Sequence, residues 1–204
     1  MPKPSKRKTA ELPIATTWAA HKSKWKDCKD CKLCDKRRRV VLGRGVLPCD
    51  VLFVGEAPGT SEDALGKPFV GPAGKLLDEL IDAALANLGM DSPRDRPRMA
   101  WTNMVACIPK YKPGEVGQPK RLEIEACSGR LNELVQLAKP QAIVMVGKLA
   151  SQWAPKFIDY DFEYSIDLTH PASVLRESPA RKGLSIDRIE IQLTELFEDI
   201  FVPF

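Results

Sequence analysis

The sequence predicts an α/β fold, a three-layer α/β/α sandwich with a central, mostly parallel four-stranded sheet. Three observations predict it. Four short apolar, β-prone runs occupy residues 50–54, 99–106, 142–146 and 162–168. Helix-period segments lie between them, and turn-forming residues bound each run. Strands that alternate with helices form parallel sheets covered on both faces, and ligands collect where the strand ends run into loops.

The elements follow in chain order. Residues 1–13, MPKPSKRKTAELP, are polar, basic and Pro-containing, and are expected to be a disordered basic tail. Residues 14–204 are expected to form a single domain, because 204 residues with 44% hydrophobic content can bury one substantial core. Residues 18–39 are charged and cysteine-rich, and predict a short helix followed by a metal-tethered turn. After the first strand, residues 73–87 (AGKLLDELIDAALAN) have helical periodicity, with Gly89 placed to cap the end. Residues 122–138 (LEIEACSGRLNELVQLA) form the next predicted helix, stopped before Pro140. A shorter helix starts at Lys148. The last, over residues 185–201, places Ile186, Ile189, Leu193, Leu196 and Ile200 at core-facing spacing.

Charge is distributed unevenly. Residues 1–50 hold 14 of the 31 Lys and Arg but only 5 of the 27 Asp and Glu, so a basic segment is attached to a mildly acidic body. Such a segment suits a polyanionic partner, since contacts to phosphates release condensed counterions. No apolar run approaches the roughly 20 residues that span a bilayer, and no signal-peptide pattern precedes the fold. The protein is therefore expected in the cytoplasm of a prokaryotic cell or a virus-infected one, away from membranes. In that reducing compartment the six cysteines are read as metal ligands in preference to disulfides.

Chemistry-bearing residues gather where the predicted strands end. The first strand runs into Gly55-Glu56-Ala57-Pro58-Gly59, then Thr60-Ser61-Glu62-Asp63, then Gly66-Lys67-Pro68-Phe69-Val70-Gly71. Three carboxylates and an aromatic ring are thus brought to one sheet edge. The second strand carries Asn103 and is followed by Cys107, and the fourth leads into His170-Pro171-Ala172-Ser173-Val174-Leu175-Arg176.

This set resembles the family 4, iron-sulfur uracil-DNA glycosylases. GEAPGTSEDALGKPFVGPAGKLL, TNMVACIP at residues 102–109 and HPASVLR at residues 170–176 occur in the family's order. The resemblance runs from about Cys28 to the C-terminal helix. It implies a DNA repair enzyme that flips uracil out of DNA and hydrolyses the N-glycosidic bond to leave an abasic site. It also implies a [4Fe-4S] cluster on Cys28, Cys31, Cys107 and Cys127, with zinc as the alternative metal. Cys34 also forms a CxxC with Cys31 and could replace Cys28.

A base inside a duplex must be extruded before it can be cut. The resemblance makes Phe69 the stacking platform and Asn103 the reader of the uracil edge, with Gly55 and Ala57 as further substrate contacts. Glu56 and Glu62 are the candidate acids for the sugar cation and the water, and the division of labour between them stays open. His170 is the candidate donor to the departing O2 anion. Ser173, Leu175 and Arg176 would approach DNA, Leu175 as a wedge and Arg176 as a phosphate contact.

Two departures bear on this reading. After Cys107 the family continues with an Arg-Pro-Pro stretch, whereas this chain has Ile108-Pro109-Lys110-Tyr111-Lys112. A related branch binds uracil-DNA covalently through a histidine in that loop, and residues 108–121 contain none. Two rival readings are a non-catalytic iron-sulfur relative that binds DNA or a base, and a hydrolase or transferase of free nucleotides. The acid, amide and imidazole set argues against the first, and the basic segment favours a polymer, bound by a monomeric enzyme.

Overall fold

A computed structural model describes residues 17–90, 92–112 and 114–202. The basic tail expected over residues 1–13 lies outside the described residues. Helix α1 (Trp18–Trp25) is followed by a single 3-10 turn at Lys32–Asp35 and a short strand β1 (Arg44–Gly45). The α/β body then runs β2 (Val51–Gly55), α2 (Thr60–Leu65), α3 (Pro72–Asn87), β3 (Met99–Asn103) and α4 (Arg121–Ala138). It continues with β4 (Ala142–Val146), α5 (Lys148–Phe157), β5 (Tyr164–Leu168), α6 (Pro171–Val174) and α7 (Pro179–Phe201).

The sheet order is β1-β3-β2-β4-β5. The pairs β3 to β2, β2 to β4 and β4 to β5 are parallel, and β1 alone is antiparallel. The four expected strands are present, and β1 is a fifth. Two residues carry no periodicity, so sequence pattern could not reveal it. Its Arg44 lies over the Trp101 ring, 3.9 Å from the centroid, and pairs with Asp78 at 2.5 Å.

Every residue of β2, β3 and β4 is buried, which is why they read as unbroken apolar runs. Successive side chains point to opposite faces. Val51, Phe53, Val144 and Val146 meet α3 and α7, while Leu52, Val54, Ile143 and Met145 meet α4 and α5. The two faces make two cores and the three layers. Strand β5 closes the sheet at the other edge and alternates half-buried with exposed residues.

Two element boundaries differ from expectation by more than two residues. The second strand stops at Asn103 because Met104 and Val105 turn their amides to the carbonyls of Gly55 and Glu56. Helix α7 starts at Pro179, six residues early, since proline at the first turn lacks only an amide that would be unbonded there. Helices α2 and α6 are too short for periodicity to show. Among the described residues no helix is long and apolar enough to cross a membrane.

Candidate active site

Parallel strands β2, β3 and β4 all deliver their C-terminal ends to one edge of the sheet. Gly55, the last residue of β2, is in register with Asn103, the last of β3. A Cβ at Gly55 would stand 2.4 Å from Asn103 Oδ1 and 2.6 Å from Phe69 Cζ. Only glycine lets the amide and the ring pack onto the strand end together. Phe69 itself has φ 55, a left-handed conformation that costs a non-glycine residue of order 1–3 kcal/mol.

Glu62 holds that conformation in place. Its Oε1 accepts from the amides of Val70 and Gly71 at 3.0 and 2.8 Å, and its Oε2 accepts from Gly59 at 3.1 Å. Both carboxylate oxygens are therefore engaged with backbone on either side of Phe69. Asp63 next to it is buried and accepts from the backbone amides of Arg38 and Arg39 and from Lys110 Nζ at 2.9 Å.

His170 arrives from the other side. Gly147, just past β4, has φ 95, and a Cβ there would meet His170 Cβ at 2.8 Å and Cδ2 at 2.9 Å. The imidazole is thereby laid against the end of β4. His170 also caps α6, its Nδ1 accepting from the Ala172 amide at 3.1 Å. That acceptor role puts the proton of the neutral ring on Nε2. Burial, with the nearby Arg176 charge, lowers the His170 pKa below its ordinary value, and Glu62 opposes the shift weakly.

A cleft of about 820 Å³ opens over this edge. Glu56, Ala57, Gln118, His170, Ser173 and Arg176 are among its lining residues. Burial raises the Glu56 pKa, and the Gln118 amide approaches its Oε2 at 3.5 Å. Gly55, Phe69 and Asn103 lie beneath the cleft at the strand ends, with Asn103 3% and Phe69 7% exposed. Glu62 stands off the lining, bound to backbone. Leu175 is exposed at the C-terminal end of α6 and also off the lining. Sequence reading missed Gln118, Lys148 and Asp167, which line the same cleft. Gln118 sits in the loop that departs from the family pattern, and position within that loop was the only signal.

A second enclosure joins the N-terminal segment to the body. Cys28, Cys31, Cys107 and Cys127 line it together with Arg37 and Arg130. Cys34 is off this lining, its thiol turned to Asp35 at 3.2 Å, and Cys49 is buried elsewhere. Burial pushes the Cys28 thiol up to about 11 and that of Cys107 up to about 12. Arg37 Nη1 donates to Cys107 Sγ at 3.5 Å and Nη2 to the Cys28 carbonyl at 2.5 Å. Arg130 is 1% exposed and donates to Thr102 Oγ1 at 3.0 Å and to the Asn103 carbonyl at 2.5 Å, while its Nε has no partner. Among the described residues no three His, Cys, Asp or Glu side chains already stand at metal-binding separation.

Comparison with known proteins places the chain in a class. The profile of the Uracil DNA glycosylase superfamily matches residues 42–190. In three dimensions the SMUG2 protein of Pedobacter heparinus superposes with a TM-score of 0.52 at 14% identity, covering 72% of this chain and 75% of that one. That likeness is one of fold. The chain belongs to the uracil-DNA glycosylase superfamily.

Sequence relatives narrow the class. The type-4 uracil-DNA glycosylase of Archaeoglobus fulgidus is 35% identical over 179 residues, spanning 78% of this chain and 84% of the relative. Those of Pyrobaculum aerophilum and Saccharolobus solfataricus are 34% and 33% identical, again over 78% of this chain and covering 84% and 78% of the relatives. Within the superfamily, the chain is a member of the type-4 family.

Proposed function

We propose that this protein excises uracil from DNA by hydrolysing the N-glycosidic bond, with Glu56 and His170 as the groups that act on the reacting atoms. The observation that carries the proposal is that both line one cleft at the C-terminal edge of the sheet. Family membership supplies the substrate class, since the relatives are uracil-DNA glycosylases.

Scission leaves positive charge on the sugar and negative charge on the base, mostly at uracil O2. Ionised Glu56 stabilises the sugar cation and takes a proton from the water whose oxygen bonds to C1′. Neutral His170 donates its Nε2 hydrogen bond toward O2 as the C1′–N1 electron pair leaves with uracil, a contribution of about 2.7–4 kcal/mol for such a donor. Departing uracil ends by taking up a proton. Glu62, with both oxygens on backbone amides, is a positioning residue for the Phe69 loop. Asn103 offers a donor and an acceptor from one amide, which suits the uracil edge and disfavours cytosine. Extrusion of the base into the cleft brings it onto the strand ends where Phe69 and Asn103 lie. Ser173, Leu175 and Arg176 face the DNA around the vacated position.

The four-cysteine enclosure fits an iron-sulfur cluster. Arg130 is buried at the wall of the enclosure with an unpartnered Nε, and its hydrogen bonds among the described residues go to carbonyls and a hydroxyl. Four thiolates around iron supply negative charge beside that guanidinium, and Arg37 already donates to one sulfur. Cys28, Cys31, Cys107 and Cys127 would hold the cluster, which would supply metal-thiolate bonds that tie the N-terminal segment to the loop after β3 and to α4. Zinc would use the same ligands.

The test is incubation with an end-labelled oligonucleotide containing one uracil, followed by alkali. A break at the uracil and release of free uracil are expected. An uncleaved strand with uracil retained would favour the binding-module reading.

A further inference from the structure

A groove outside the cleft remains unexplained by excision itself. Lys22, Lys26, Arg38, Arg39, Arg44 and Lys67 line it, with Trp18 at one wall and exposed Leu65 on the rim, and no acidic residue contributes. Arg44 is engaged with Asp78. The other five form no ion pair among the described residues, and all five are exposed. Lys22 stands over the Trp18 ring at 4.4 Å.

Five cations without an ion pair among the described residues crowd into one concavity and repel one another, and the Trp18 ring offsets this only for Lys22. The local structure nevertheless holds them there. Asp63, 1% exposed, accepts from the backbone amides of Arg38 and Arg39 and so fixes the turn that presents both guanidinium groups. Helix α2 connects the groove to the cleft: Gly59 at its N-cap lines the cleft, and Leu65 and Gly66 at its far end line the groove. Six residues rise about 9 Å, which spans roughly three nucleotides at 3.4 Å each.

We propose that this groove binds the DNA sugar-phosphate backbone on one side of the extruded nucleotide, beginning about three nucleotides from it. The inference rests on the uracil-excision reading and adds a contact surface to it. The groove reads charge and spacing, not bases, so it acts on uracil-free DNA as well. Its five cations match the chemistry of a phosphate track.

The test compares the wild-type protein with a Lys26→Gln, Arg38→Gln, Arg39→Gln, Lys67→Gln variant. All four side chains are exposed, so an unchanged melting temperature is expected and checks the fold. Binding to 25-mer duplexes with and without uracil is measured at several salt concentrations. Neutralising four phosphate contacts is expected to flatten the plot of log Kd against log salt by about 3–4 units. Affinity for both duplexes falls, while the excision rate at saturating DNA stays that of the wild type. A single-stranded pentanucleotide with uracil at its centre, too short to reach the groove, is expected to bind both proteins equally. An unchanged salt slope in a folded variant overturns the proposal, as does an equal loss on the pentanucleotide. Groove-dependent binding without excision by either protein would instead overturn the function proposed above and leave the groove standing.

Discussion

In the proposed mechanism Glu56 acts ionised and His170 acts neutral, so both work deprotonated, and burial favours that form for His170 while opposing it for Glu56. Desolvation raises the Glu56 pKa and lowers that of His170. Glu56 must be ionised to act on water, so kcat is expected to rise with pH through a carboxylate ionisation above the usual range. In the proposed mechanism His170 acts as the neutral donor, a form its lowered pKa favours, so no fall in rate is expected as pH rises through its ordinary 6.5. A single-turnover pH profile checks this; a fall in rate as pH rises through 6–7 would mean that a protonated imidazole is required. Glu62 and Glu56 separate by the same logic. Glu62→Gln replaces one acceptor oxygen that serves backbone amides with a donor, and lowers the melting temperature together with the rate. Glu56→Gln leaves the melting temperature unchanged. Both acids stand in a motif visible in the sequence, yet nothing in their spacing says that one faces a cleft and the other faces amides.

Helix α1 is fastened to α4 by a buried polar cluster rather than by an apolar face. His21 is 0% exposed, stacked on Trp18, with Nδ1 2.7 Å from Glu133 Oε1. Trp25 Nε1 donates to the same oxygen at 2.7 Å, and Lys24 pairs with Oε2. Burial and the Arg130 charge lower the His21 pKa to about 4. Its unfolded pKa is the ordinary 6.5, so as pH falls through the window 6.5 to 4 the unfolded chain takes up a proton that the folded one refuses. Stability therefore falls on acidification, at up to about 1.4 kcal/mol per pH unit for this group. His21→Gln is expected to flatten the dependence of melting temperature on pH between 6.5 and 4, and an identical dependence would assign the acid sensitivity elsewhere. The long elements were legible because parallel buried strands and helices write their burial into apolar runs and periodicity. Strand β1 and helices α2 and α6 were not, being too short to carry a period, although α2 joins the two surfaces that matter most here.

At the scale of the molecule, the four-cysteine enclosure spans three separated stretches of chain. Arg130 stands between it and the site, since the guanidinium that lines the enclosure also holds the Asn103 carbonyl. Loss of a ligand should therefore be felt in the body of the fold. Cys127→Ser is expected to lower bound iron and sulfide and to lower the melting temperature, while Cys34→Ser changes neither. Metal analysis showing zinc without iron would reassign the site, and retained iron in Cys127→Ser would overturn the ligand set. Spacing alone left Cys28 and Cys34 equivalent, because both form a CxxC with Cys31. The 3-10 turn at Lys32–Asp35 separates them by turning Cys34 toward Asp35. The chain's residue types pointed to the strand ends and to the cysteines, and three-dimensional packing brings four of those cysteines to the lining of one enclosure.

The most direct measurement is single-turnover release of uracil from DNA by the wild-type protein, Glu56→Gln and His170→Ala, each at a concentration that saturates the substrate. The wild-type protein should leave an abasic site, Glu56→Gln should be slower by at least about 100-fold, and His170→Ala by about 100- to 1000-fold, all three with similar DNA affinity. Uracil release at the wild-type rate by both variants would contradict the assignment of the cleft as the place where the glycosidic bond is broken.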